Sequence, residues 1–182
     1  MDSAKLAKAS IPDSATVAIN DSARKLLPAA FNGTAQELVL ENKKIALTIN
    51  TKGAFPSAAR LKDFKTYGQA PLYLFKGAAN NVSMILPIQN GALSTADLYF
   101  APTLKKEPNG DQTIEMIADM GEGKKVSVIY SLPADGYMLQ YRVLLSGMAT
   151  NAVPLSWNMQ GLSTEKDVHN ERMGTQIYYR YK

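Results

Sequence analysis

Apolar and polar positions alternate with a period of two along much of this chain, and the pattern is clearest between residues 45 and 75. Ile45, Leu47 and Ile49 alternate with Ala46, Thr48 and Asn50, which predicts a strand with one buried face. Thr51-Lys52-Gly53 breaks the run. Gly53 supplies the backbone freedom for a tight reversal, and the returning strand is expected to carry Phe55, Ser57, Ala59 and Leu61 on one face. Beyond Gly68 and Pro71, Leu72-Tyr73-Leu74-Phe75 is short enough for a covered strand or a plug on the core.

The same reading continues downstream. Residues 82–88 predict a strand ended by Gln89-Asn90-Gly91, and residues 93–100 and 112–118 predict two more, separated by a polar loop holding Pro102 and residues 105–110. Gly121-Glu122-Gly123-Lys124 turns the chain into residues 126–132. Pro133-Ala134-Asp135-Gly136 turns it again into residues 137–145, so the two runs form a hairpin. Residues 153–159 give another strand, with Leu155 and Trp157 sharing a face and Trp157 expected in the core, because large aromatics supply much of a sandwich interior. Residues 161–174 are polar. They predict a short helix from about Ser163, capped by Ser163 or Thr164, with Glu165 and Lys166 in its first turn. Residues 175–182 close the chain as a strand with Ile177, Tyr179 and Tyr181 on one face and Tyr178 on the other. About ten short strands, with turn signals every 8 to 12 residues and almost no helical periodicity, predict an antiparallel β-sandwich.

Composition bounds this picture more than it changes it. The 182 residues suffice for one domain with a substantial core. No window approaches the roughly 18 to 20 apolar residues of a membrane-spanning helix, and Met1-Asp2-Ser3-Ala4-Lys5 does not open a secretory signal. Residues 1–36 read as a tail rich in Ala, Ser, Lys and Asp, interrupted by Pro12, Pro28 and Gly33. The net charge of +4 is spread over isolated pairs, Lys43-Lys44, Lys105-Lys106 and Lys124-Lys125, each near acidic residues such as Glu41, Glu107 and Glu122. That is a solvated surface and not a clustered nucleic-acid patch. With no cysteine, disulfides, thiolate catalysis and cysteine metal ligands are excluded.

One resemblance runs through these elements. Leu40-Glu41-Asn42, then Asn50-Thr51-Lys52-Gly53, residues 61–68 and Pro71-Leu72-Tyr73-Leu74-Phe75 resemble the start of the periplasmic domain of the YidC family of bacterial membrane protein insertases (YidC/Oxa/Alb). The likeness continues through residues 95–100 and 130–137, Leu155-Ser156-Trp157, Glu165-Lys166, Glu171 and residues 177–181, and so covers residues 37–182. Two positions depart from the family pattern: Ala54 stands where a second glycine is usual, and Pro56 falls early in the return strand. The resemblance implies a large twisted antiparallel sandwich of the galactose-mutarotase-like kind (a supersandwich), with a little helix near its carboxyl end. It implies a linker over residues 1–36 that follows an N-terminal transmembrane helix absent here, and a periplasmic domain over 37–182 that is expected to be truncated at its C-terminal end. It also implies a domain tethered to the bacterial inner membrane and facing the periplasm, without enzymatic activity or a cofactor. The implied partners are components of the Sec translocon, including SecD-SecF, and nascent membrane proteins.

The residues themselves offer little catalytic chemistry. His169 is the one histidine and sits in a polar segment beside Asn170 and Glu171, so it reads as a surface residue. One histidine and no cysteine do not build a zinc site. Glu165 and Glu171 could converge on a sugar as acid and base, but capping and pairing with Lys166 and Arg172 explain them better. The alternative class, a carbohydrate-binding or mutarotase-like protein on the same sandwich, would want a histidine and a carboxylate facing a cleft, for which His169 is the single candidate. Gly121-x-Gly123 lacks the third glycine and the helix of a phosphate loop. The candidate partner-contact residues are Tyr178, Tyr179 and Tyr181, because alternation places at least one of these rings outward.

Overall fold

In the computed structural model, which describes residues 28–77, 79–88, 91–148 and 153–174, the period-two alternation becomes eleven strands among the described residues. Glu37–Glu41 (β1), Ile45–Asn50 (β2), Phe55–Lys65 (β3) and Pro71–Lys76 (β4) form a four-stranded antiparallel sheet in sequence order. A second sheet has the order β10-β9-β8-β7, built from Ala101–Lys106 (β7), Gln112–Asp119 (β8), Lys125–Leu132 (β9) and Gln140–Ser146 (β10). A third sheet, β11-β5-β6, joins Leu155–Asn158 (β11), Asn81–Ile88 (β5) and Gly91–Ser94 (β6). One apolar cluster draws on all three sheets: Leu40, Leu47 and Ile49 from the first, Ile114, Met116, Val126 and Val128 from the second, Met84 and Leu86 from the third. The molecule is therefore mainly β, an antiparallel sandwich around a single core.

The β2–β3 reversal ties the layers together. Residues 51–54 form the turn, with Gly53 at φ 81° and Ala54 at φ 49°. A side chain at residue 53 would put its Cβ 2.9 Å from the Phe55 ring and 3.2 Å from the Ala96 backbone, so glycine is required there for space as well as for φ. Ala54 tolerates the left-handed region without a second glycine, its methyl buried in the core. The turn donates Gly53 N–H to the Leu98 carbonyl and accepts Phe100 N–H at the Thr51 carbonyl. The Tyr130 hydroxyl, buried on β9, donates to the Ala54 carbonyl at 2.8 Å.

Several predicted details are corrected. Thr48 opposes Ala58 while Ile49 opposes Pro56, so β3 carries a bulge at Pro56-Ser57, where a residue with no N–H is accommodated. Ala59 and Leu61 keep the core side opposite Leu47 and Ile45. Phe55 and Ser57 do not, and Ser57 Oγ instead reaches Thr48 O and the Glu37 carboxylate. The run at 93–100 is broken by a 3₁₀ turn over Thr95–Asp97, because Ser94 caps it by accepting Ala96 N–H. Residues 101–106, expected in a loop, form β7: every residue of this edge strand is exposed, so it shows no alternation, and Pro102 is tolerated at an edge. β10 begins at Gln140 and not at residue 137. The helix (α1) runs over Val168–Met173, and its N-cap is Asp167, whose carboxylate accepts the N–H groups of His169 and Asn170. Residues 163–166 thus precede it.

Trp157 is the largest departure. It is 63% exposed and Leu155 is 52% exposed. They do share the core-side face, since Trp157 pairs with Val82 and Leu155 with Met84, both buried. The face was legible; the depth was not, because among the described residues the packed core stops at β5.

The segment before β1 also packs. Ala30 is buried in a 3₁₀ turn over Ala29–Phe31, its carbonyl accepts Tyr99 N–H, and Gln36 exchanges hydrogen bonds with Thr51.

Candidate functional site

Asn42 sits between β1 and β2 and fixes the most distinctive surface of the molecule. Its Oδ1 accepts the N–H groups of Lys44 and Ile45 at 2.8 and 2.9 Å, which shapes the local turn. Its Nδ2 donates to the carbonyls of Pro133 and Gly136 at 2.8 and 2.9 Å. One buried amide thereby clamps the β9–β10 loop of the second sheet onto the first. Asp111 supports the same loop by accepting Ala134 N–H at 2.7 Å.

The clamped loop presents Tyr137 and Met138, and Phe64 at the end of β3 meets the Tyr137 ring. The Phe64 and Tyr137 rings lie 6.4 Å apart at 52°, and Met138 is 80% exposed. Tyr137 Oη donates to the Asp63 carboxylate at 3.3 Å. Lys44 Nζ stands 3.2 Å from that carboxylate and 5.8 Å from the tyrosine ring, and Asp63 holds the ammonium above its ordinary pKa. The result is an exposed aromatic and thioether knob with a polar collar. Large, stiff aromatics and adaptable methionine are the residue types that anchor protein contacts. The sequence carried a signal for it, an apolar residue in each of two turn-flanking runs, Lys62-Asp63-Phe64-Lys65 and Asp135-Gly136-Tyr137-Met138. The Asn42 clamp on the β9–β10 loop brings them together.

A second surface lies where the chain after β11 runs beside β4. Leu162 N–H donates to Leu74 O, Tyr67 N–H donates to Thr164 O, and Gly161 bridges to Phe75. Lys166 Nζ sits 5.5 Å from the Tyr67 ring. The Glu171 carboxylate reaches back from α1 to accept Thr164 N–H, Thr164 Oγ1 and Glu165 N–H. Backbone donation from Thr164 is the main reason its pKa falls below the usual glutamate range. A carboxylate so engaged is positioned as a clasp. Glu165 contributes its backbone N–H to that contact. His169 is exposed on α1, with its N–H given to Asp167.

The basic residues are distributed in pairs: Lys62 with Glu41 at 2.7 Å, Lys124 with Glu122 at 2.8 Å and Lys125 with Asp119 at 3.0 Å. Among the described residues no group of three or more metal-ligating side chains converges. An apolar groove of about 540 Å³ is lined by Phe31, Ile88, Leu93, Met120 and Met148, with Lys124 at its rim. Tyr178, Tyr179 and Tyr181 lie outside the described residues.

The described residues thus form a mainly β sandwich module with an exposed aromatic pair, Phe64 and Tyr137, beside one clamped loop. The comparisons give that module its family. Residues 37–182 match the family described as the YidC periplasmic domain, and the chain belongs to it. Curated relatives agree. A membrane protein insertase YidC from Parabacteroides distasonis is 33% identical over 159 residues, which cover 84% of this chain and 24% of the relative. Those of Porphyromonas gingivalis and Cytophaga hutchinsonii are 31% and 30% identical over 179 residues, 93% and 96% of this chain and 28% of each relative. The chain thus spans about a quarter of the length of the relatives it matches. No solved structure matches.

Proposed function

We propose that this chain is the periplasm-facing domain of an inner-membrane insertase, and that it assists insertion and folding of membrane proteins by surface contact without catalysis. The partners proposed are Sec translocon components, including SecD-SecF, and nascent membrane proteins. The observation that carries the reading is the exposed Phe64 and Tyr137 ring pair, with exposed Met138 next to Tyr137 on the loop that Asn42 holds, in a chain whose family is that of the insertase periplasmic domain. Exposed apolar groups of this size, ringed by charge, mark contact sites.

The test is site-specific photocrosslinking in native membranes, with a photoreactive phenylalanine at position 64 or 137 and a reference at Thr103 on the exposed edge strand β7. The expected outcome is crosslinks from 64 and 137, and not from 103, to a translocon subunit or to a nascent membrane protein. A uniform absence of such products from 64 and 137, in a protein that still supports insertion, removes the contact role.

A further inference from the structure

Lysines scattered along the sequence meet at one seam of the sandwich. A cleft of about 520 Å³ opens there, between the β1–β2 turn, β3, the β7–β8 turn and the β9–β10 loop. Its lining holds three ammonium groups, Lys43, Lys62 and Lys106, against the single carboxylate of Glu41. Lys62 is the fixed member: its Nζ donates to the Asn42 carbonyl at 2.7 Å and pairs with Glu41 at 2.7 Å. That pair neutralises the one carboxylate. Lys43 and Lys106 are exposed and stand in no salt bridge among the described residues. The surplus is felt at Glu41, which titrates below its ordinary range first through the hydrogen bond and charge of Lys62, then through the charges of Arg60 and Lys106. The rest of the wall is polar and held in place. Gln112 gives one of its two amide N–H groups to the Glu41 carbonyl at 2.7 Å. The Asp111 carboxylate, close by, is taken up by Asn109 Nδ2 and Ala134 N–H. Like charges gathered without a counter-ion repel one another, and a concave site focuses their field on an anion that enters it.

We propose that this cleft binds a phosphate group, presented by the headgroup of an anionic phospholipid in the bilayer beside the domain. The cations lining the cleft are all lysine, compact point charges suited to phosphate, and none is an arginine fork that would grip a planar carboxylate in two places. The neighbourhood of the cleft selects the bilayer. Ala134 on its wall belongs to the loop that carries Tyr137 and Met138, with Phe64 against Tyr137, so the lysines border exposed apolar side chains. Basic residues beside aromatic and apolar ones are the composition of surfaces that dock at a headgroup layer. The family is that of membrane protein insertases, which puts a bilayer within reach. The inference rests on that membership and not on the protein contact proposed above.

The test is flotation of the 182-residue chain with vesicles of phosphatidylcholine, alone or mixed with phosphatidylglycerol, at low and at physiological ionic strength. Binding is expected only to the mixed vesicles, and it should weaken as salt screens the lysines. Lys43→Gln combined with Lys106→Gln should lower the apparent affinity at least ~10-fold. Lys124→Gln combined with Lys125→Gln removes the same charge elsewhere and should change it less than ~3-fold, because those ammoniums are already paired with Glu122 and Asp119. Equal losses from the two double variants overturn the inference, since net charge alone then explains the binding. So does equal binding to both kinds of vesicle, or binding to neither. Inorganic phosphate, titrated into the chain and followed by amide NMR shifts, separates the sources. Shifts at Lys43, Gly110 and Gln112 without preference for the mixed vesicles would assign the cleft to a soluble phosphate and overturn the bilayer as its source.

Discussion

Asn42 shows how much of this fold rests on one side chain whose importance no periodicity reveals. Its four hydrogen bonds join backbone groups separated by 2 and 3 residues on one side and by 91 and 94 on the other. Leu40-Glu41-Asn42 stood out in the sequence as part of a family pattern, yet partners so distant cannot be read from spacing. Asn42→Ala strands two amide donors and two carbonyls, and the expected loss is about 2–4 kcal/mol, since each unsatisfied buried group costs roughly 1–3 kcal/mol in part recovered by water. Asn42→Asp keeps the acceptor half but turns a second acceptor oxygen onto the Pro133 and Gly136 carbonyls, so in urea denaturation it should lose at least as much as alanine. Equal stability of Asn42→Ala and wild type would show that the clamp is not formed. Tyr130 is the comparable case in the core. Tyr130→Phe leaves the Ala54 carbonyl without its donor and should cost about 1–2 kcal/mol in the same assay with little change in m-value.

Elements were legible where one face is buried and the other is wet. β2, β8 and β9 each bury every second residue, and each was visible as alternation. β7 was not, because an edge strand exposed on both sides has no pattern to show, and the face of the first residues of β3 was misread because a bulge shifts the register by one. The start of α1 was misplaced for a related reason: serine and threonine at 163 and 164 look like caps, but Thr164 is held by Glu171, and Asp167 caps instead. That clasp makes a pH prediction. Glu171 titrates below its ordinary range in the folded chain, chiefly through Thr164 N–H. A depressed carboxylate contributes stability that is fully present above the unfolded glutamate pKa and is lost as pH falls through the lower folded value. The Thr164 amide resonance should therefore titrate with a midpoint below that of an unperturbed glutamate, near 4.3. Glu171→Gln should abolish that transition and loosen residues 163–166, read as faster amide exchange at Thr164. A Thr164 midpoint at or above the ordinary value would contradict the clasp.

For the whole molecule, the sandwich was predictable because alternation recurs from strand to strand, while the limit of its core was not, since pattern reports which side faces inward and never how far the opposing layer extends. Met116 and Trp157 make this distinction measurable. Met116 is fully buried on β8 opposite Val128, inside a cluster shared by all three sheets. Met116→Ala should cost about 2–5 kcal/mol by removing buried methylenes and leaving a cavity, and the loss should register in all three sheets together because they share that cluster. Trp157 carries far more apolar area, yet in the 182-residue chain it is already mostly in water. Trp157→Ala should there shift stability by no more than about 0.5–1 kcal/mol, the range of surface substitutions. Circular dichroism in urea measures both, free of the fluorescence that the second variant loses. The order of the two costs is the decisive quantity. A Trp157→Ala loss equal to that of Met116→Ala would mean that the core already extends past β5 in this chain. A small loss would mean that on the β11 side the packed core ends at β5.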